Sequence, residues 1–91
     1  TIANAATGTI VLSGTNQTGA IDNYGMLALT GTSQTGGIGN HSGGSVAQSG
    51  AVDAAGPVTN NGLWNLGGDL TATSAFVTNN GQIFVLGTTD G

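Results

Sequence analysis

Apolar residues in this chain fall in short alternating runs. Thr9-Ile10-Val11-Leu12, Met26-Leu27-Ala28-Leu29, Leu63-Trp64-Asn65-Leu66 and Gln82-Ile83-Phe84-Val85 each send every second side chain to one face. That period of two marks a half-buried strand. The equivalent inward slots are Ile10 and Leu12, Leu27 and Leu29, Trp64 and Leu66, and Ile83 and Val85. One stretch is weaker: Gly43-Gly44-Ser45-Val46-Ala47 offers only Val46 and Ala47 as core. A shorter arm precedes each run, with an aliphatic residue two positions before an asparagine. These pairs are Ile2 and Asn4, Ile21 and Asn23, Ile38 and Asn40, Val58 and Asn60, and Val77 and Asn79. Helical periodicity is absent throughout.

Successive asparagines are 19, 17, 20 and 19 residues apart. A period of about 20 residues means a solenoid, whose repeats bury their apolar faces only against their neighbours. After each asparagine comes a glycine, at Gly8, Gly25, Gly43, Gly62 and Gly81, and the alternating run ends at another, at Gly14, Gly31, Gly50, Gly67 and Gly87. These are expected to supply positive φ at the corners. A third arm rich in Thr, Ser and Ala then leads to the next aliphatic residue. Thr15-Asn16-Gln17-Thr18-Gly19 and Thr32-Ser33-Gln34-Thr35-Gly36 are near copies of it, and Pro57 fits the bend before the fourth asparagine.

The fold this predicts is all-β: a right-handed parallel β-helix of about five rungs. It forms one domain, 1–91, with rungs near 1–19, 20–36, 37–56, 57–75 and 76–91. Ile2, Ile21, Ile38, Val58 and Val77 should stack as a core column. Asn4, Asn23, Asn40, Asn60 and Asn79 should form a turn ladder, because an amide both donates and accepts and can bond its own copy above and below. The alternative is an antiparallel meander of hairpins with Asn-Xaa-Gly turns. Three arms per repeat, rather than two, argue against it.

At this point the chain resembles a known group. Val58-Thr-Asn-Asn-Gly-Leu-Trp-Asn-Leu-Gly-Gly-Asp-Leu70 and Val77-Thr-Asn-Asn-Gly-Gln-Ile-Phe-Val-Leu-Gly87 look like repeats of filamentous haemagglutinin-type exoproteins. Ile2-Ala-Asn-Ala-Ala-Thr-Gly-Thr-Ile-Val-Leu-Ser-Gly14 is similar to autotransporter passenger repeats. The resemblance implies a secreted parallel β-helix at a Gram-negative cell surface, an adhesin or a stalk for other activities. Gln34-Thr-Gly-Gly-Ile-Gly-Asn40 and Gln48 resemble the curlin-type repeat of extracellular fibres, but Gln does not recur in later rungs.

Composition narrows the function. The chain has no Lys, Arg or Cys and a net charge of −4, from Asp22, Asp53, Asp69 and Asp90. Nucleic-acid binding draws its affinity from cations on phosphates, so that class is excluded, and anionic membrane surfaces are disfavoured. No run approaches the ~20 apolar residues of a spanning helix, so no membrane insertion is expected. With 37 % hydrophobic residues falling in register, the chain is not read as disordered. Without an initiator Met or a visible signal peptide, it reads as a processed protein or an excised segment.

The chemical inventory is four Asp and His41. Counted from the asparagines, the acids lie at different offsets, so none should pair, and His41 lacks a carboxylate or a second metal ligand. No enzyme, metal or cofactor is expected. Tyr24 and His41, each one past its asparagine, form a possible contact patch. Asn16-Gln17-Thr18 is a possible glycosylation acceptor, and Asn40-His41-Ser42 matches the same pattern. Three functions follow. The first is a secreted structural or adhesive rod contacting a host glycan or protein, with neighbouring rungs of a longer chain as its other partners. The second is a fibre subunit stacking end to end through uncapped rungs. The third is an ice-binding face built on Thr15, Thr18, Thr32 and Thr35.

Overall fold

The structure is a computed structural model that describes residues 1–72, 77–86 and 89–90. Its strands form three parallel sheets, each five deep, coiled through about four turns. The chain is a parallel β-solenoid, all-β among the described residues. The first sheet holds β1 (Ile2–Asn4), β4 (Ile21–Asn23), β7 (Ile38–Asn40), β10 (Val58–Asn60) and β13 (Val77–Asn79). The second holds β2 (Thr9–Leu12), β5 (Met26–Leu29), β8 (Ser45–Gln48), β11 (Leu63–Leu66) and β14 (Gln82–Val85). The third holds β3 (Thr15–Gln17), β6 (Thr32–Thr35), β9 (Val52–Ala54), β12 (Leu70–Ala72) and β15 (Thr89–Asp90). Successive strands in the chain turn onto different sheets, and each pairs with the strand one repeat away. Every strand pair among the described residues is parallel, so the meander is not the fold.

Register follows the asparagines. Ile2 sits on Ile21, Ile21 on Ile38, Ile38 on Val58 and Val58 on Val77, with the asparagines stacked beside them. The second sheet stacks Ile10, Leu27, Val46, Trp64 and Ile83 in one inward column. The third adds Val52 and Leu70. Together these columns fill the coil with one continuous apolar core. At ~25 cal/mol per Å² of apolar area removed from water, that burial is what holds strands this short in place.

The weak third repeat is built differently from the expectation. Ala47 faces outward, and the slot between Leu29 and Leu66 is filled by Gln48. Trp64 Nε1 donates to Gln48 Oε1 at 3.1 Å, while Gln48 Nε2 donates to the carbonyls of Gly50 and Asp69. A buried polar residue is therefore fully partnered, as burial requires.

The glycines also differ in role. Among the described residues only Gly14 and Gly43 have positive φ. Several of the others are small because the coils touch at the corners. A Cβ on Gly50 would strike the carbonyl of Gly31, and one on Gly62 the carbonyl of Gly44. The aligned glycines are therefore Gly44, not Gly43, and Gly68, not Gly67. Gly87 lies outside the described residues. The backbone confirms this alignment, since Ser45 N donates to Gly25 O and Leu63 N to Gly44 O. Pro57, just before β10, accepts from Ile38 N and so keeps its place in the ladder without an N–H.

Candidate functional site

The asparagine corner joins the first sheet to the second. Asn4 Nδ2 donates to Asn23 Oδ1 at 2.8 Å, Asn23 to Asn40 at 2.9 Å, Asn40 to Asn60 at 2.7 Å and Asn60 to Asn79 at 2.9 Å. Each of these donors also reaches the carbonyl of the first residue of the second-sheet strand in the next repeat, as Asn23 does at Ser45 and Asn60 at Gln82. The amides thus satisfy turn carbonyls that the strand ladders leave over. Asn23, Asn40 and Asn60 have no exposed surface.

One residue further along, the chain points outward. Tyr24 N, His41 N, Asn61 N and Asn80 N each bond the carbonyl of the asparagine one repeat earlier. Their side chains form a ridge along the corner. Tyr24 and His41 stack with ring centroids 4.0 Å apart and planes 3° from parallel. Beyond them Asn80 Nδ2 donates to Asn61 Oδ1 at 3.0 Å. On the opposite side of Tyr24 the equivalent residue is Ala5, so a methyl stands where the other repeats carry a planar group.

His41 has a carboxylate partner after all. Its Nε2 lies 3.2 Å from Asp22 Oδ1. Asp22 sits at the centre of β4, and its strand neighbour on β7 is Gly39. A Cβ on Gly39 would stand 3.2 Å from Asp22 Oδ1 and 3.5 Å from His41 Nε2. Glycine there lets the carboxylate cross the adjacent strand to the imidazole. Counting equal offsets misses this pair because it is diagonal, one before an asparagine and one after the next. Both partners are accessible, at 35 % and 52 %, and an exposed ion pair contributes little stability. The arrangement orients a ring and offers an acceptor.

The remaining acids lie on or beside the third sheet. In the strand register Asp53 pairs with Thr71, and Thr71 with Asp90, despite the different offsets of the two acids. A groove of about 300 Å³ there is lined by Gln34, Asp53, Asp69 and Thr71 among others. Among the described residues no three or more His, Cys, Asp or Glu side chains converge to hold a metal.

Thr15 and Thr32 stack in register on this face, but Thr35 is buried, so the threonine array does not extend along both columns. Asn16 occupies the inward column with Ser33, Val52 and Leu70. It is half-buried, and its amide donates to Ser13 O at 3.0 Å.

Gln48 and Asp22 are the residues that sequence reasoning did not place. The alternation of Val46 and Gln48 with Ser45 and Ala47 was the signal for the first, and the diagonal neighbour rule for the second. Set against known proteins, the chain matches no family model, no curated protein and no solved structure.

Proposed function

We propose that this chain is a non-catalytic rod module of a secreted bacterial surface protein, and that it meets its ligand along the asparagine corner. The observation that carries this reading is the ridge of Tyr24, His41, Asn61 and Asn80, mounted on a buried ladder that holds it straight. Aromatic rings with few rotatable bonds make contact area at low entropic cost. The haemagglutinin-like and autotransporter-like repeats of the sequence support the same class, and with it an extracellular, cell-surface setting. The partner is a glycan or a protein, and several weak contacts along a rod would add by avidity.

Binding of the folded chain to a glycan array and to host-cell surface protein is the test. Retention should be lost in Tyr24→Ser and in His41→Ser and kept in Thr71→Ser. Equal retention by all three would remove the ridge as the contact surface.

A second reading, an end-to-end fibre subunit, is favoured by the polarity of the ladder. Asn23, Asn40 and Asn60 each accept from one neighbour and donate to the other, whereas Asn4 donates only and Asn79 accepts only within the ladder. Rungs of a longer chain would complete those ends. For the isolated 91 residues a second copy could, and the contact would be heterologous and open-ended. Light scattering and imaging decide it: rods support a fibre, and a persistent monomer at high concentration ends the idea.

A further inference from the structure

The outer face of the second sheet differs from the other two. All four aspartates belong to other segments: Asp22 to β4, Asp53 to β9, Asp90 to β15, and Asp69 to the residue just before β12. With no Lys or Arg in the chain, this face carries no charge. It also gathers the exposed large apolar side chains. Val11, Met26 and Phe84 stand on it and Leu86 directly follows its last strand; Val85 has the inward parity of Leu66 and is exposed at the end of the coil, which leaves Tyr24 as the only other one among the described residues.

The relief of the face is specific. Val11, Ala28, Ala47, Asn65 and Phe84 form one outward column, each the strand partner of the next. In its middle the two alanines floor a hollow of about 260 Å³, walled by Thr30, Asn65 and Leu86. At its end Phe84 stands out, 53 % exposed. A knob and a hole of matching apolar character therefore lie in one line. At ~4.8 Å per strand they are roughly 10 Å apart measured to Ala47 and roughly 14 Å measured to Ala28.

We propose that this face pairs with a second copy of the chain, sheet against sheet, each Phe84 seated in the other's Ala28–Ala47 hollow. A two-fold axis in the plane of contact, running along the strands, reverses the column. Phe84 of one copy then meets the hollow of the other and receives its Phe84 in return, with Asn65 near the axis. Such reciprocity is what an isologous contact demands. A copy of the same chain carries an apolar knob, Phe84, on the very face that holds the hollow, and the uncharged face keeps the carboxylates of two −4 chains away from the contact. The overlap, about four strands by four residues, covers roughly 250 Å² of footprint on each side. That is well below the ~800 Å² per partner of a standard stable interface, so the pairing is weak and concentration-dependent. It is lateral, and distinct from stacking at the rod ends.

The absence of cysteine makes the test direct. Ala47→Cys and Phe84→Cys variants are oxidised separately and as a mixture. The mixed disulfide should predominate over both homodisulfides, because the two positions face each other only across the axis. In sedimentation, the dimer of the otherwise native chain should be lost in Phe84→Asp, and circular dichroism should be unchanged because the position is outward. Homodisulfides as abundant as the mixed one would overturn the proposal. So would a dimer that survives Phe84→Asp, or a native chain that stays monomeric at every concentration.

Discussion

Asn60 shows how one amide does several jobs. Its Nδ2 reaches Asn79 and Gln82 O, and its Oδ1 receives Asn40. Asn60→Ala should cost about 1 to 3 kcal/mol, since buried neighbours lose their partners. Asn61→Ala, exposed on the ridge, should stay within about 0.5 kcal/mol. Urea denaturation of both variants checks the inward and outward assignment. Ser33 is the opposite case, a buried hydroxyl with no hydrogen-bond partner. Ser33→Ala should leave stability equal or raise it by about 1 kcal/mol, and a clear loss in the same assay would reveal a bond to that oxygen. The asparagine ladder was legible in the sequence because a side chain that bonds its own copy has to recur. Gln48 and Ser33 were not, because a polar residue inside a β-coil leaves no trace in periodicity beyond its parity.

At the scale of the element, strands of two to four residues hold together only because three sheets share their corners. Glycine at those corners serves contact more often than conformation. Gly50→Ala would push a methyl into the Gly31 carbonyl, a backbone atom that cannot turn aside. It should cost at least the ~1 to 3 kcal/mol typical of overpacking. Gly14→Ala meets nothing within 4 Å but sits at φ +74°, and should cost only the ~1 to 2 kcal/mol of a left-handed residue. Thermal melts should place Gly50→Ala below Gly14→Ala. The strands and their parallel register could be read from alternation and spacing. The glycine alignment in the third repeat could not, because the turns after Asn4 and Asn40 are two residues longer than the others, which displaces the matching residue to Gly44. The Asp22–His41 pair escaped for a related reason, since it depends on the missing side chain of Gly39 on the intervening position.

For the whole molecule, neighbour-only contacts make stability nearly additive along the coil. Excising residues 21–37 joins Ala20 to Ile38 and would set Asn4 on Asn40, Ile10 on Val46 and Asn16 on Val52. The shortened chain should still fold, melting lower but cooperatively, with an unchanged strand signature in circular dichroism. Complete unfolding would mean that the repeats are not interchangeable. Function was less legible than fold because the inward pattern is dictated by packing, whereas the outward residues are free to vary. Composition alone marked the absence of cations there. One consequence concerns the electrical character of the coil. Backbone bonds in a parallel sheet largely cancel along the stacking direction, leaving sheets with small net dipoles. The four asparagine links do not cancel: every donor points towards the higher-numbered repeat, and Gln17 to Gln34 runs the same way, while Asn80 to Asn61 and Trp64 to Gln48 run in reverse. Aligned amides polarise one another. A chain without Lys or Arg thus carries a permanent moment along the coil axis, and in an applied field such coils would all turn the same end forward.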